Sequence, residues 1–308
     1  MRKKVLIIHK HAGIGIKIAT KYLIKYLSRY YEVYDFELLN CKDIKSIFNL
    51  INENNIKNII VHDVEKHGNL FKQIRKNFDL NFFYFVPAYV GVEKRRNFKV
   101  FDCTISGSDS ILKSKRNIKW VFDIPTRFKS QMKFNERKNT FLYCGRINEF
   151  KLDPVLIDRI VGTPYKLDIF GYIETNEDRS LLDNYKRRSI DSNVIFHNPV
   201  KNHEIENLYN QYKFIALASN TDVFSLFSLE AACCGCIPII YKREGVVFPW
   251  LSRLTKEVNS AKDMVSAYEA LLHTPNEQLQ DYSDAHRKDV KEKLKNLSNI
   301  DKIDSILQ

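Results

Sequence analysis

Asp222 and Glu230 are the only charged side chains in the stretch "NTDVFSLFSLEAACCGCIPII" at 220–240, with seven residues between them. The rest of the stretch is apolar or small, the pattern of a buried helix running into a buried strand. A carboxylate enclosed in such surroundings is costly unless something pairs with it. Two pairings are open: Asp222 caps the helix and Glu230 meets an internal Arg or Lys, or both carboxylates receive hydroxyl groups of a ligand. In "LYCGRINEFKLD", Gly145 follows an apolar run, Arg146 comes next, and Lys151 lies five residues beyond Arg146. Two cations near a helix start could clamp a diphosphate, or could simply be solvated. In "KLDIFGY" an apolar run ends at Gly171 and Tyr172, where a flat ring or a ribose could lie.

The elements that must position these groups are strands alternating with amphipathic helices. Candidate strands in the first half are 5–9, 33–38, 59–62, 82–86, 100–105 and 121–124, with helical patterns over 16–30 and from about 44 and 70. A second series starts at "TFLYCGR", with strands at 140–144, 166–170, 194–196, 214–218 and 237–241 and a helical pattern from 260 onward. Continuous apolar strands between helices predict doubly wound parallel sheets, one in each half. The polar stretch "KFNERKN" at 133–139 reads as the linker. The expected domains are 1–135, 136–285 and a C-terminal helix over 286–308 that returns to the first domain. Glycine is scarce, ten in 308 residues, yet Gly13, Gly15, Gly107, Gly145 and Gly171 fall just after predicted strands. Ligands of doubly wound sheets bind at those strand ends, and tight turns there need glycine as well.

Composition narrows the classes. The 44% hydrophobic and 28% charged residues are those of a globular protein. No apolar run approaches the roughly 18 residues that cross a bilayer, and the apolar run of the opening "MRKKVLIIHKHAG" is too short for a leader and reads as a first strand. The expected location is the cytoplasm, with contact at the inner face of a membrane. Six cysteines at 41, 103, 144, 233, 234 and 236 form no paired framework. Cys233, Cys234 and Cys236 lack the spacing and the fourth ligand of a zinc site and read as small buried residues. The net charge of +12 is concentrated: residues 94–138 hold thirteen Lys or Arg against four acids, leaving about +3 for the remainder. An acidic partner surface is expected there.

In order and spacing, "GRINEFK", "DIFGY" and "DVFSLFSLEAACCGCIPII" resemble the donor-binding half of the GT-B-fold retaining glycosyltransferases, specifically glycosyltransferase family 4 with its E-x7-E signature. The resemblance covers the second half well and the first half in outline. It implies two Rossmann-like domains facing each other across a cleft, and transfer of a sugar from a nucleotide-diphosphate sugar, UDP-sugar favoured, to an acceptor hydroxyl with retention of configuration. Arg146 and Lys151 would neutralise the diphosphate, replacing a metal, so that no metal or other cofactor is implied. Glu230 would accept both ribose hydroxyls, and Asp222, where the family has its first Glu, would hold hydroxyls of the donor sugar. Backbone amides of Phe224, Ser225 and Leu226 would hold sugar or phosphate. Gly145, Gly171 and Tyr172 would line the donor site, and Gly13 and Gly15 would allow its close approach from the first half. Asp222 is one methylene shorter than the family residue, and Val223 and Ser225 stand where glycines are usual. "FVPAYVG" at 85–91 lacks the His that many relatives carry, so His62 and Asp63 are the nearest acceptor-side polar pair; His62 read alone is a core or capping histidine.

Two acceptor classes fit the basic segment. One is a lipid-linked glycan at an anionic membrane surface, in cell-surface glycan synthesis; the other is DNA carrying a hydroxymethylated base. A non-catalytic nucleotide-sugar binder is a further alternative. A Rossmann dehydrogenase is disfavoured, because "HAGIG" lacks the third glycine of the dinucleotide fingerprint.

Overall fold

The computed structural model describes residues 2–10, 14–38, 44–62, 67–86, 100–106, 117–120, 128–219, 225–241 and 256–307. The chain folds as two compact units, Met1–Asp123 with Lys295–Gln308, and Ile124–Leu294. The first boundary therefore falls at 123/124 rather than 135/136, and the segment that returns to the first unit starts at 295 rather than 286.

The first unit is built on β1 (Lys4–His9), α1 (Ile14–Leu27), β2 (Glu32–Glu37), α2 (Ile44–Asn54), β3 (Asn58–His62), α3 (Gly68–Asn77), β4 (Asn81–Val86), β5 (Cys103–Ser106) and β6 (Asn117–Lys119). All six strands pair in parallel in the order β2-β1-β3-β4-β5-β6. The sheet is parallel because each apolar strand is followed by a chain segment long enough to cross back over it. Burial of every residue of β3 fits a central strand covered on both faces. The strand expected at 121–124 lies outside the described residues. The returning segment is tied down by the Tyr26 hydroxyl donating to Ser298 O at 2.5 Å and the Tyr31 hydroxyl donating to Asp304 at 2.8 Å, with Ile303 and Leu307 buried.

The second unit comprises β7 (Lys138–Arg146), α4 (Pro154–Ile160), β8 (Leu167–Tyr172), α5 (Asn176–Arg188), β9 (Val194–His197), α6 (Ile205–Asn210), β10 (Tyr212–Leu217), α7 (Leu226–Cys233), β11 (Ile237–Tyr241), β12 (Lys256–Val258), α8 (Ala261–Leu272) and α9 (Asn276–Leu297), whose end leads into α10 (Asp301–Asp304) of the first unit. Its sheet is also parallel, in the order β12-β11-β10-β7-β8-β9. The chain winds outward from β7 through β8 to β9, returns to lay β10 beside β7, and winds outward the other way. The strand order thus reverses between β7 and β10, the place where open α/β sheets bind ligands. One face of this sheet packs Phe141, Ile169, Phe214 and Ile239 against Ile157 of α4 and Met264 and Tyr268 of α8.

The segment 133–139 is not a linker. Phe134 is buried in a single 3-10 turn, Phe134–Glu136, and β7 begins at Lys138. Arg137 is 4% exposed, and its Nη2 donates to Ser130 Oγ, Met132 O and Cys234 O at 2.7, 3.1 and 2.9 Å. One of the thirteen cations of the basic segment is therefore internal. Cys234 ends α7, and Gly235, with φ of +91°, reverses the chain into β11 through Gly235 N–H to Ala232 O and Cys236 N–H to Ala231 O, both 3.0 Å. Only glycine adopts this backbone without strain, and an added Cβ would lie 2.9 Å from Ser283 Oγ.

His286 on α9 is fully buried, and neither ring nitrogen has a hydrogen bond among the described residues. Burial, aided by Lys293 and opposed by Asp289, pushes its pKa down from 6.5 to about 4. The unfolded chain therefore binds a proton that the folded ring refuses. This contribution to stability is complete above pH 6.5 and is lost as the pH falls toward 4. Urea unfolding at pH 7 and pH 5 is expected to differ by about 2 kcal/mol from this group. His286→Leu should remove that share of the slope; an unchanged slope would contradict the assignment.

Candidate functional site: the strand ends of the second unit

The helix that carries Glu230 has no polar face. From Ser228 to Cys233 every residue of α7 is buried. Ser225 caps it, its hydroxyl accepting from Ser228 N–H at 3.3 Å, so this side chain closes the helix start. The amides of Leu226 and Phe227 then fall in the first turn, where helix geometry offers no internal acceptor. Glu230 is 6% exposed, and its Oε2 accepts from the Tyr209 hydroxyl of α6 at 3.1 Å. One interior partner of this carboxylate is thus a tyrosine. Burial, and then the charge of Glu230, raises the Tyr209 pKa well above 10, so the phenol stays a hydrogen-bond donor. Burial and the same charge push the Cys144 thiol up to about 12. Cys144 sits two residues before the end of β7, so Glu230 faces the strand end at which the sheet order reverses. A thiol held protonated there is no nucleophile at neutral pH.

Gly145 and Arg146 of β7 lie in register with Gly171 and Tyr172 of β8. Arg146 is held by two carboxylates: its Nε donates to Asp178 Oδ2 at 2.8 Å and its Nη1 meets Glu174 Oε2 at 2.6 Å. Asp178 lies in the first turn of α5, where Thr175 caps the helix by accepting from the Asp178 N–H at 3.1 Å. Burial raises the Asp178 pKa, but hydrogen bonds from Arg146 and from the Glu174 amide outweigh it and hold the carboxyl below its ordinary value. The hydrogen bond to Asp178, against the opposing effect of burial, in turn raises the Arg146 pKa.

Lys151 sits in the loop from β7 to α4, which Asn148 shapes by accepting the Phe150 and Lys151 amides at 3.1 and 2.9 Å. The loop is pinned over the end of β10 by Asp153 N–H to Ala218 O at 3.1 Å and Ser219 Oγ–H to Phe150 O at 2.9 Å. The start of α4 does not offer its dipole to a ligand as expected, because buried Asp153 caps it, accepting from Val155 N–H at 2.9 Å.

Gly171 has a packing reason of its own. A Cβ there would come within 2.2 Å of Ile147 Cδ1 and 2.4 Å of Cγ1, and Ile147 is buried. Gly171→Ala is expected to lower stability by about 1–3 kcal/mol through overpacking, read by urea unfolding. Ile147→Val in the same chain should recover part of the loss; a neutral Gly171→Ala would contradict the contact. Gly145 has only an ordinary contact at 3.4 Å with the Tyr143 hydroxyl.

The second unit therefore gathers Gly145, Arg146, Gly171 and Tyr172 at adjoining strand tips, with Glu230 behind β7 and Lys151 on the loop that covers the end of β10. Asp222 and Phe224 lie outside the described residues, as do Gly13 and Asp63. Gly15 falls in the first turn of α1. His62 is 2% exposed at the end of β3, its Nδ1 sharing a 2.9 Å hydrogen bond with the Thr20 hydroxyl, and is a satisfied core histidine. Its register partner, His9, bonds Asp35 through Nε2 at 2.6 Å. Sequence reasoning missed Glu174, Asp178 and Tyr209. The T-x-x-D spacing of Thr175 and Asp178 announces a helix start, but nothing in it announces the link to Arg146.

The sequence profile of the family described as Glycosyl transferases group 1 matches residues 126–289. Among solved structures, sucrose-phosphate synthase from Thermosynechococcus elongatus superposes with a TM-score of 0.74 at 14% identity, over 99% of this chain and 96% of that one. A glycosyltransferase from Rickettsia africae gives 0.73 at 13% identity, over 100% and 99%. HepE from Anabaena, in complex with UDP-glucose, gives 0.74 at 12% identity, over 98% of each chain. No curated protein matches the sequence. At these identities the structural likeness speaks for the fold, two parallel-sheet units of the GT-B type.

Proposed function

Because the chain belongs to the group 1 glycosyl transferases, and is thus an enzyme of sugar transfer from a nucleotide-sugar, we propose that it is a retaining enzyme with a UDP-sugar donor held at the strand ends of the second unit. The observation that carries the reading is Glu230, an enclosed carboxylate steadied by a neutral tyrosine beside the strand where the sheet order reverses. A carboxylate accepts two neighbouring hydroxyls, and a ribose presents two, so the buried charge gains partners when a nucleotide binds. Gly145 lets the nucleotide lie close to the backbone beside Gly171, whose missing side chain leaves room for Ile147. Lys151 and Arg146 meet the diphosphate, whose charge grows as the glycosidic bond breaks. The amides of the first turn of α7 and Asp222 hold the sugar. The acceptor oxygen bonds the anomeric carbon on the face from which the diphosphate leaves, and the hydroxyl proton departs with that leaving group. In this reading Lys151 and Arg146 take the place of a metal at the diphosphate.

The acceptor we assign to a lipid-linked glycan at an anionic membrane surface, on the strength of the basic residues between 94 and 138. Calorimetric titration with UDP, GDP and ADP tests the donor, and saturable binding of UDP is expected. The product anomer read by NMR tests retention, which an inverted product would overturn. Binding to anionic vesicles is expected to exceed binding to plain duplex DNA at equal salt; the reverse order would move the acceptor to nucleic acid.

A further inference from the structure

Resting on the donor reading above, we propose that Glu174 competes with the donor's diphosphate for Arg146 and thereby sets donor affinity. The two acids on Arg146 are not equivalent. Asp178 has a side chain only 6% exposed, and its Oδ2 accepts both Arg146 Nε, at 2.8 Å, and the Glu174 amide, at 3.0 Å. It is built into the start of α5 and stays with the arginine. Glu174 lies in the turn before that helix, has a side chain 21% exposed, and reaches Arg146 Nη1 at 2.6 Å. Its hold is on a terminal nitrogen of the guanidinium, in an arginine whose side chain is 27% exposed.

Arginine grips a phosphate through two parallel N–H groups. With Nε given to Asp178, the edge that remains for such a grip is the one formed by Nη1 and Nη2, and the Glu174 carboxylate lies 2.6 Å from Nη1. A diphosphate oxygen and this carboxylate cannot both occupy the place beside Nη1. The trio also carries a net charge of −1 from one cation and two acids, so a diphosphate that left Glu174 in place would meet repulsion instead of attraction. Donor binding therefore requires Glu174 to swing away, and affinity is lowered by the strength of the contact it gives up.

The test uses full-length Glu174→Gln and Glu174→Ala, with near-UV circular dichroism to check folding and calorimetry with UDP, GDP and ADP and with uridine. Both variants are expected to bind UDP about tenfold more tightly than wild type while uridine binding stays unchanged, and the gain should shrink as salt is raised. That pattern assigns the effect to the phosphates and not to a reshaped pocket. UDP binding by wild type with no gain in either folded variant overturns this inference alone and leaves Arg146 as a bolt between β7 and α5. Failure of wild type to bind any of the three diphosphates overturns the donor reading, and the inference with it.

Discussion

Glu230→Gln is expected to lower kcat/KM by about 100- to 1000-fold while leaving the protein folded. Hydrogen bonds to a charged group are worth about 1.5–3 kcal/mol each, and two ribose hydroxyls on one carboxylate lose most of that when the charge is removed. Glutamine keeps an oxygen for the Tyr209 hydroxyl, which now sits 3.1 Å from Glu230 Oε2, and it removes a buried charge, so thermal stability should hold or rise. Weak nucleotide binding with an intact melting temperature is therefore the signature of a ligand carboxylate. A structural carboxylate would give the opposite, a lowered melting temperature with unchanged nucleotide affinity. Tyr209→Phe provides a graded companion: the carboxylate keeps its charge and loses one anchor, and a smaller loss of roughly fivefold is expected.

Arg137→Met is expected to cost about 3–5 kcal/mol of stability, measured by urea unfolding at pH 7. The guanidinium is 4% exposed and serves Ser130, Met132 and Cys234, with its carbon centre 5.9 Å from the centroid of the Phe134 ring. Methionine fills much of the same volume, so the loss comes from polar groups left behind, chiefly the carbonyls of Met132 and Cys234. Arg137 Nη1 is itself buried with no hydrogen-bond partner among the described residues. Because Cys234 is the residue on which α7 ends, the same variant should also weaken nucleotide binding in proportion to the loosening of Glu230. A change below 1 kcal/mol would mean that these carbonyls find other donors, and the role given to Arg137 would fall.

The sheet of the second unit was legible because its inner strands are mainly apolar: the expected 166–170 and 237–241 compare with Leu167–Tyr172, where Asp168 is the one charge, and Ile237–Tyr241. The short strands were not. Lys256–Val258 is a charged edge strand with no buried residue to impose a pattern, and Asn117–Lys119 is only three residues long with a polar residue at each end. The segment 133–139 misled for a different reason. Polarity is the usual mark of a linker, yet Arg137 is polar in order to satisfy carbonyls brought to it by distant parts of the chain. The same limit applied at the site. The enclosure of Glu230 followed from its apolar neighbours in sequence, whereas its tyrosine partner and the two acids on Arg146 come from other elements, and no local spacing encodes them.

A crystal structure of the protein with UDP bound tests the central claim most directly. The account predicts the ribose hydroxyls within hydrogen-bond distance of the Glu230 carboxylate and the diphosphate lying toward Lys151 and Arg146, at the ends of β7 and β8. A nucleotide seated elsewhere, with Glu230 still enclosed by protein alone, would contradict it.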